Sequence, residues 1–391
     1  MIYVGIDVAK DKHDCAILGP NGEVLLSRFT FQNNKFGFEK LLEQIKANGV
    51  DLSQIKVGLE ATGHYCYNLL GFLLNEGLLT YVINPLHTNL YRKSLSLRKT
   101  KTDRVDARTI ASMLMSGAVS KPYTHQSYHN EELKSLTRYR FDMIQKRAKL
   151  KSSVTRLVNI LFPEFEKMVP SLHISSSNAL LSEFPGASHI AKANIIRLTN
   201  LLSAASRGQY TREKAEQIRD AARSSIGMES LAKSLELKQT ISLIRSLSLE
   251  IEEIDNAIKQ IMDTVDSPIL TIPGISYGMG AMIIAEIGDF TNFDSADKLL
   301  AYSGLSPSTY QSGQLTNARA KMEKRGSKYL RYALYNATKL VCSWDPDFGR
   351  YLAKKRAEGK HYNVALSHAA KRLVRVIYAM EKTGESYRLT N

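Results

Sequence analysis

Cysteine is scarce in this sequence. Cys15, Cys66 and Cys342 are odd in number, far apart and flanked by no second cysteine or histidine at ligand spacing, which argues against a disulfide framework or a structural zinc site. They are expected to be buried thiols. Long apolar runs are missing too, and the N-terminus enters a strand pattern directly, so neither a membrane span nor a signal peptide is expected. The expectation is a soluble, cytoplasmic protein. Acidic residues are in deficit, 38 against 53 lysines and arginines, for a formal charge of +15 and a pI near 9.5. That imbalance favours a polyanionic partner, with nucleic acid the leading candidate.

The excess charge is clustered. Arg92 to Arg108 holds seven basic and two acidic residues, Lys134 to Arg156 eight and one, Arg319 to Arg331 six and one, and Arg350 to Arg375 eight and one. Clusters of this kind suit several phosphate-contacting faces better than a uniformly solvated surface. With 391 residues, 43% of them apolar, the chain can build two or three domains with sizeable cores.

The first block alternates strand and helix patterns. Strands are expected at Tyr3 to Val8, Asp14 to Leu18 and Glu23 to Phe31, the last two joined by the turn Gly19-Pro-Asn-Gly22. A helix over Phe36 to Ala47, a strand at Ile55 to Leu59, a helix from about Tyr65 to Asn75 and a strand at Leu79 to Ile83 follow. Next comes a helix beginning in Lys99 to Arg108, KTKTDRVDAR. Three antiparallel strands followed by parallel ones separated by helices is the order of an α/β, ribonuclease H-like sheet.

Four carboxylates in this block fall where chemistry could use them. Asp103 and Asp106 are three apart and share one helix face in a first turn. Asp7 ends the first strand in GIDVAKD, and Glu60 ends the fourth in GLEATGHY. Acids in a first turn ordinarily cap the helix or complement its dipole, and a strand-end acid is ordinarily no more than that. Converging, however, the four are a costly cluster of like charge unless cations occupy it. Two Mg2+ or Mn2+ ions would relieve the repulsion and clamp both oxygens of a phosphoryl transfer.

The middle of the chain carries two heptad seams: Leu133, Leu136, Arg140, Met143, Arg147, Leu150, Val154, Leu157 and Leu161, then Leu237, Thr240, Ile244, Leu247, Ile251, Ile254, Ile258, Ile261 and Val265. They suit either an antiparallel pair or a dimerisation coil. Arg140 and Arg147 would be costly in a dry seam and are expected near an edge or against phosphate. Between the seams, residues 170–225 read as an inserted helical segment with a turn at Ser175 to Ser177 and helical patches around Ile190 to Leu202 and Thr211 to Ala222. Ile272-Pro-Gly-Ile275, Met279 to Ile287 and Gly288-Asp-Phe290 then resemble a helix-hairpin-helix, whose glycine turn can aim backbone N–H groups at a phosphate. A loop with Ser303, Ser306, Ser308 and Ser312 precedes the basic stretch KMEKRGSKYLR. The last helices, near Tyr329 to Val341 and Asn363 to Ala379, are amphipathic and basic.

Taken in order, GIDVAKD, GLEATG, KTDRVDA, IPGI, AEIGDF, AYSGLSP, QSG, KRG and LRYAL resemble the DEDD transposases of bacterial insertion sequences, whose relatives include the pilin-gene invertases. The resemblance covers nearly the whole chain and implies a RuvC-like metal-binding catalytic domain over 1–125, a coiled-coil region over 126–267 and a C-terminal transposase domain over 268–391. It assigns Asp7, Glu60, Asp103 and Asp106 as metal ligands and Ser312, of the SG motif, as the nucleophile. It also implies a noncoding bridge RNA pairing with donor and target DNA, so that sequence choice rests with base pairing. The basic residues Arg98, Lys99, Lys101, Arg104, Arg108, Arg140, Arg147, Lys321, Lys324, Arg325, Lys328 and Arg331 are the candidates for gripping nucleic acid, and strand exchange by a dimer or tetramer is expected. Three other readings stay open on the residues alone: a junction nuclease without strand transfer, a non-catalytic nucleic-acid scaffold, and, weakly, an actin-like ATPase, for which no later phosphate loops are present.

Overall fold

In the computed structural model the described residues are all but 48–50, 62–63, 96–102, 120, 124, 307–310, 313–314, 317–321, 323, 325 and 390–391; the side chains of 95, 103–105, 125–129, 311–312 and 315–316 also lie outside the description. The chain divides into two compact units, 1–128 and 129–391.

The first unit is a five-stranded mixed sheet with helices on both faces. Its strands are β1 (Ile2–Asp7), β2 (Lys12–Leu18), β3 (Val24–Gln32), β4 (Ile55–Glu60) and β5 (Leu79–Ile83), and its helices are α1 (Lys35–Lys46), α2 (Tyr67–Asn75), α3 (Pro85–Leu95) and α4 (Asp103–Met115). The sheet order is β3-β2-β1-β4-β5. β1, β2 and β3 pair antiparallel, and β4 joins β1 and β5 in parallel, matching the strand pattern of the sequence.

Alternation along β1 sorts its side chains between the faces. Ile2, Val4 and Ile6 enter a core with Phe38, Leu41 and Ile45 of α1 and Leu69, Leu70 and Leu73 of α2. Gly5 faces the other way, against α4. A Cβ at Gly5 would lie 2.1 Å from the Ala107 carbonyl oxygen, and one at Gly58, its register partner on β4, 2.8 Å from Ile110. Two neighbouring glycines thus let α4 lie directly on the sheet. Gly5→Val is expected to destabilise the fold by about 3 kcal/mol, because the obstacle is helix backbone and cannot rotate away; a loss of roughly 10 °C in melting temperature would register it.

α3 has no counterpart in the hydrophobic pattern of the sequence. Leu86 and Leu90 are exposed, so the helix lacks an apolar stripe. It is started instead by the Asn84 side chain, which accepts from the Leu86 N–H at 2.9 Å, and by Pro85 in its first turn.

The second unit is mostly helical. α5 (His125–Leu161) and α11 (Leu231–Met262) are its long members. Arg140 with Asp255, Arg147 with Ser248 and Arg156 with Glu236 connect them, and since one partner's number rises as the other's falls, the two helices run antiparallel within one chain. Within the chain the two seams thus form an antiparallel pair.

Between them lie α6 (Phe165–Met168), α7 (Ser175–Glu183), α8 (Ala187–Ala191), α9 (Ile195–Ala205) and α10 (Arg212–Arg223), which share a core with the far halves of the long helices. Two local readings of this segment are corrected. Ser175 to Ser177 begin α7 rather than forming a turn, with Ser176 and Ser177 buried. The patch from Ile190 to Leu202 is broken where Asn194 caps α9, accepting from the Ile196 and Arg197 N–H groups.

A separate core joins the near halves of α5 and α11 to α12 (Tyr277–Ile287), α13 (Ala296–Tyr302), α14 (Lys328–Trp344), α15 (Pro346–Ala357) and α16 (Tyr362–Thr383). α15 was not evident from hydrophobic spacing; Asp345 caps it, with Pro346 in its first turn. The element before the IPGI turn is a single 3-10 turn, Pro268–Thr271, rather than a full helix. Gly274, at φ +89°, abuts the backbone of Leu340 and Val341, so packing by itself demands glycine there.

Candidate active site

The carboxyl-terminal ends of β1 and β4 define the site. Ile6 and Leu59 are the last register pair between these parallel strands, and Asp7 and Glu60 are the next residues on each. Both are half-buried. They share a sheet face with Gly5 and Gly58, two residues earlier on each strand, and that is the face α4 covers.

The direction of α4 follows from its contacts. Its C-terminal Met115 reaches Gly22, in the turn between β2 and β3, while Ala107 and Ala111 lie over Gly5. The helix therefore runs against β1, and its first turn, with Asp103 and Asp106, sits towards the edge where β1 and β4 end. Asp106 is buried and bonded by Arg92 of α3, Nη1 to Oδ1 at 2.9 Å, while Arg92 Nη2 donates to Asn89 at 2.9 Å. Arg92 was counted in the sequence as one cation of a basic run. Its pairing with a nominated ligand, fourteen positions away, had no local signal.

All four donors are oxygens, the chemistry hard divalent cations take. Among the described residues no group of three or more His, Cys, Asp or Glu closes to ligating distance, so Asp7, Glu60 and Asp106 do not make a complete cage alone. The fourth acid, Asp103, opens α4, and its side chain lies outside the description.

Beside this edge is a buried histidine that the sequence analysis did not single out. His13 of β2 is fully buried, and its Nδ1 accepts from the Ala9 N–H at 3.3 Å, in the segment leaving Asp7. Burial holds its pKa below the ordinary value, outweighing the opposing effects of Asn33 and Asp14. The bond from Ala9 requires Nδ1 to be unprotonated. With its pKa depressed in the folded state, His13 contributes stability that is fully present above about pH 6.5 and is lost as pH falls towards the folded value. Denaturant midpoints should therefore decline on acidification below about pH 6.5, and His13→Gln should flatten that decline. Its neighbour Asp14 is bonded by Arg28 at 2.9 Å and Thr30 at 2.5 Å. Burial pushes the Asp14 pKa up, but these partners outweigh it and hold the group below the usual range.

In the second unit, Ser312 ends β6 (Gln311–Ser312), paired antiparallel with β7 (Leu315–Thr316) so that Ser312 stands opposite Leu315. Its side chain lies outside the description. Of the neighbouring serines, Ser303 is fully buried and donates to the Leu300 carbonyl at 2.7 Å, which commits it to ending α13. Ser306 is half-buried, and 308 lies outside the described residues.

The nominated cations divide similarly. Residues 98, 99, 101, 321 and 325, and the side chain of Arg104, lie outside the description. Arg108, Lys324 and Lys328 are exposed. Arg331 donates to the Gly326 carbonyl at 3.1 Å. Arg140 is held by both carboxylate oxygens of Asp255, and Arg147 by Ser248 at 3.1 Å, so both have protein partners between the long helices.

Comparison with known proteins bears on both units. Residues 4–163 match the profile of a DEDD-type transposase of the IS110 group, and residues 266–353 that of the transposase IS116/IS110/IS902 family. The pilin gene-inverting protein of Moraxella bovis is 25% identical over 386 residues, 97% of this chain and 95% of that one. The mini-circle putative transposase for IS117 of Streptomyces coelicolor is 24% identical over 400 residues, covering 99% and 95%. An insertion element IS116 protein of Streptomyces clavuligerus is 24% identical over 382 residues, covering 97% and 94%. The order of the motifs, the two matched profiles and the near end-to-end similarity agree: this chain carries the DEDD-type IS110 and the IS116/IS110/IS902 transposase domains and is a DNA transposase or recombinase.

Proposed function

We propose that this transposase cuts and rejoins DNA through a serine-linked intermediate, at a site whose four acids, Asp7, Glu60, Asp103 and Asp106, hold one or two divalent cations. The observation that carries the reading is the placement of Asp7 and Glu60 at adjoining strand ends, on the face covered by α4, with the first turn of α4 at the same edge. The β3-β2-β1-β4-β5 order supports a RuvC-like, ribonuclease H-like domain over 1–125. A coiled-coil region over 126–267 and a serine-bearing transposase domain over 268–391 complete the organisation, and the protein works as a dimer or tetramer on donor and target DNA.

Mg2+ or Mn2+ bound by these acids would neutralise phosphate charge and lower the proton affinity of an attacking hydroxyl. The protein's own residues do the rest. Arg92 holds Asp106 in one orientation. The basic residues of 98–108 draw the DNA backbone towards the acids. Ser312 Oγ attacks a phosphodiester phosphorus: a phosphorus–oxygen bond to the serine forms, the bond to one deoxyribose oxygen breaks, and that oxygen leaves with a proton. The phosphoserine link conserves the energy of the broken bond, and a deoxyribose hydroxyl from another strand reverses the step to rejoin DNA. A guide RNA selects the sequences by pairing, while the basic faces of α14, α15 and α16 grip backbones.

Trapping on nicked DNA with Mg2+ tests the reading, with a covalent protein–DNA adduct as the expected product. Cleavage with free ends and no adduct would instead favour the junction nuclease. Sequencing nucleic acid that copurifies with the protein tests the guide, a single discrete noncoding RNA being the expected result.

A further inference from the structure

The described stretches on either side of the Ser312 segment meet at one point. Its entry follows Tyr302, where α13 ends and Ser303 is buried. Its exit is Gly326, at φ +93°, where a Cβ would lie 2.2 Å from the Tyr302 carbonyl oxygen and 3.9 Å from the Gly304 nitrogen. Entry and exit are therefore in backbone contact, and no other residue type fits the crossing.

One buried carboxylate ties this neck to the core. Glu286 of α12 is 2% exposed. Its carboxylate accepts from Arg138 of α5 through two bonds, Nε at 2.6 Å and Nη2 at 3.0 Å, and from the Ser327 hydroxyl at 2.5 Å. Ser327 in turn accepts from the Tyr329 and Leu330 N–H groups, each at 3.2 Å, and so caps α14. The Glu286 carbonyl accepts from the Tyr302 hydroxyl at 3.2 Å. The guanidinium of Arg138 lies 4.8 Å from the Tyr329 ring centre, and Phe141 packs edge-on against the same ring. One residue thus contacts both ends of the loop, through its carbonyl at the entry and its carboxylate at the exit.

Burial pushes the Glu286 carboxyl up, but Arg138 and Ser327 outweigh it and keep the group ionised. An ionised carboxylate buried this deeply is costly for stability alone, since apolar replacement of a buried pair is often neutral or stabilising. What the arrangement supplies is geometric: a charge-assisted clamp with fixed angles.

We propose that Glu286, held by Arg138, is a positioning residue for strand transfer, fixing through Tyr302 and Ser327 the neck that bounds the Ser312 segment. The proposal rests on Ser312 as the nucleophile. Full-length wild-type protein is compared with Glu286→Ala, Glu286→Gln, Ser327→Ala and Ser312→Ala. Hydrogen exchange over 299–306 and 326–332, melting temperature, DNA affinity and the rate of covalent capture on nicked DNA are measured for each.

Glu286→Ala and Ser327→Ala are expected to speed exchange at both ends of the neck and to slow capture about tenfold, which corresponds to about 1.4 kcal/mol. DNA affinity should stay within about threefold of wild type, a change under about 1 kcal/mol. Glu286→Gln retains an acceptor for Ser327 and should recover part of the loss. Unchanged exchange and capture in both Glu286→Ala and Ser327→Ala would overturn the proposal, as would losses of capture that merely track melting temperature. If Glu286→Ala fails to fold, Ser327→Ala and Glu286→Gln decide the question. Capture that survives in Ser312→Ala would refute the nucleophile and not the clamp, which the exchange data judge separately.

Discussion

Ser312→Ala is expected to eliminate the covalent protein–DNA adduct and to lower strand exchange by about a thousandfold or more, the scale on which enzymes lose activity when a nucleophile is removed. The change deletes one oxygen from a short ribbon strand, β6, and should leave folding and DNA affinity unaltered. A hydroxyl near neutral pH is a poor nucleophile, and no histidine stands near Ser312 in the sequence to act as its base. In the proposed mechanism its activation is assigned to divalent cations held by the four acids. Denaturing gels of protein incubated with labelled nicked DNA supply the measurement. Adduct formation by Ser312→Ala would transfer the assignment to Ser306 or Ser308, because Ser303 is fully buried and bonded to the Leu300 carbonyl.

Asp106→Asn should be nearly as damaging, with about a hundredfold to thousandfold loss of cleavage and little change in fold. Asparagine keeps the size of the side chain and an oxygen for Arg92, so the contact at 2.9 Å survives while the charge does not. Asp7→Asn should behave likewise. Affinity for DNA should hold or rise in both, since each removes a negative charge from an edge that phosphate must approach. Wild-type protein should also be stabilised by Mg2+, by about 2.7 kcal/mol at a hundred times its dissociation constant, and each variant should lose that gain. Thermal melts with and without Mg2+ read this without any turnover. Variants that cleave normally and respond normally to Mg2+ would return all four acids to capping and strand-end roles.

The first unit was largely legible because its signals are local. Short apolar runs and a Gly-Pro-Asn-Gly turn marked β1 to β3, and further runs between helical patterns marked β4 and β5. Capping residues, rather than apolar spacing, start α3 and α15, so a reading weighted to hydrophobic period passed over both. The Ser175 to Ser177 stretch misled for the opposite reason: serine clusters are common in turns, yet burial of Ser176 and Ser177 carries this one into a helix.

What the sequence by itself determined is the inventory: five strands in a mixed order, two long seams, four acids at element ends, and basic clusters suited to a polyanion. Each is written in neighbours a few residues apart, where backbone geometry imposes its own period. Tertiary structure decided which of these meet. Gly5 and Gly58 are unremarkable as letters, but side by side they let α4 onto the sheet and turn its first residues towards the ends of β1 and β4. Arg140 and Arg147 were expected near an edge or against phosphate, and the antiparallel packing of α5 and α11 puts Asp255 and Ser248 opposite them. Arg138 and Glu286, 148 positions apart, carried no mutual signal, because an ion pair depends on distance in space and burial, and neither is encoded in the spacing of residues along the chain.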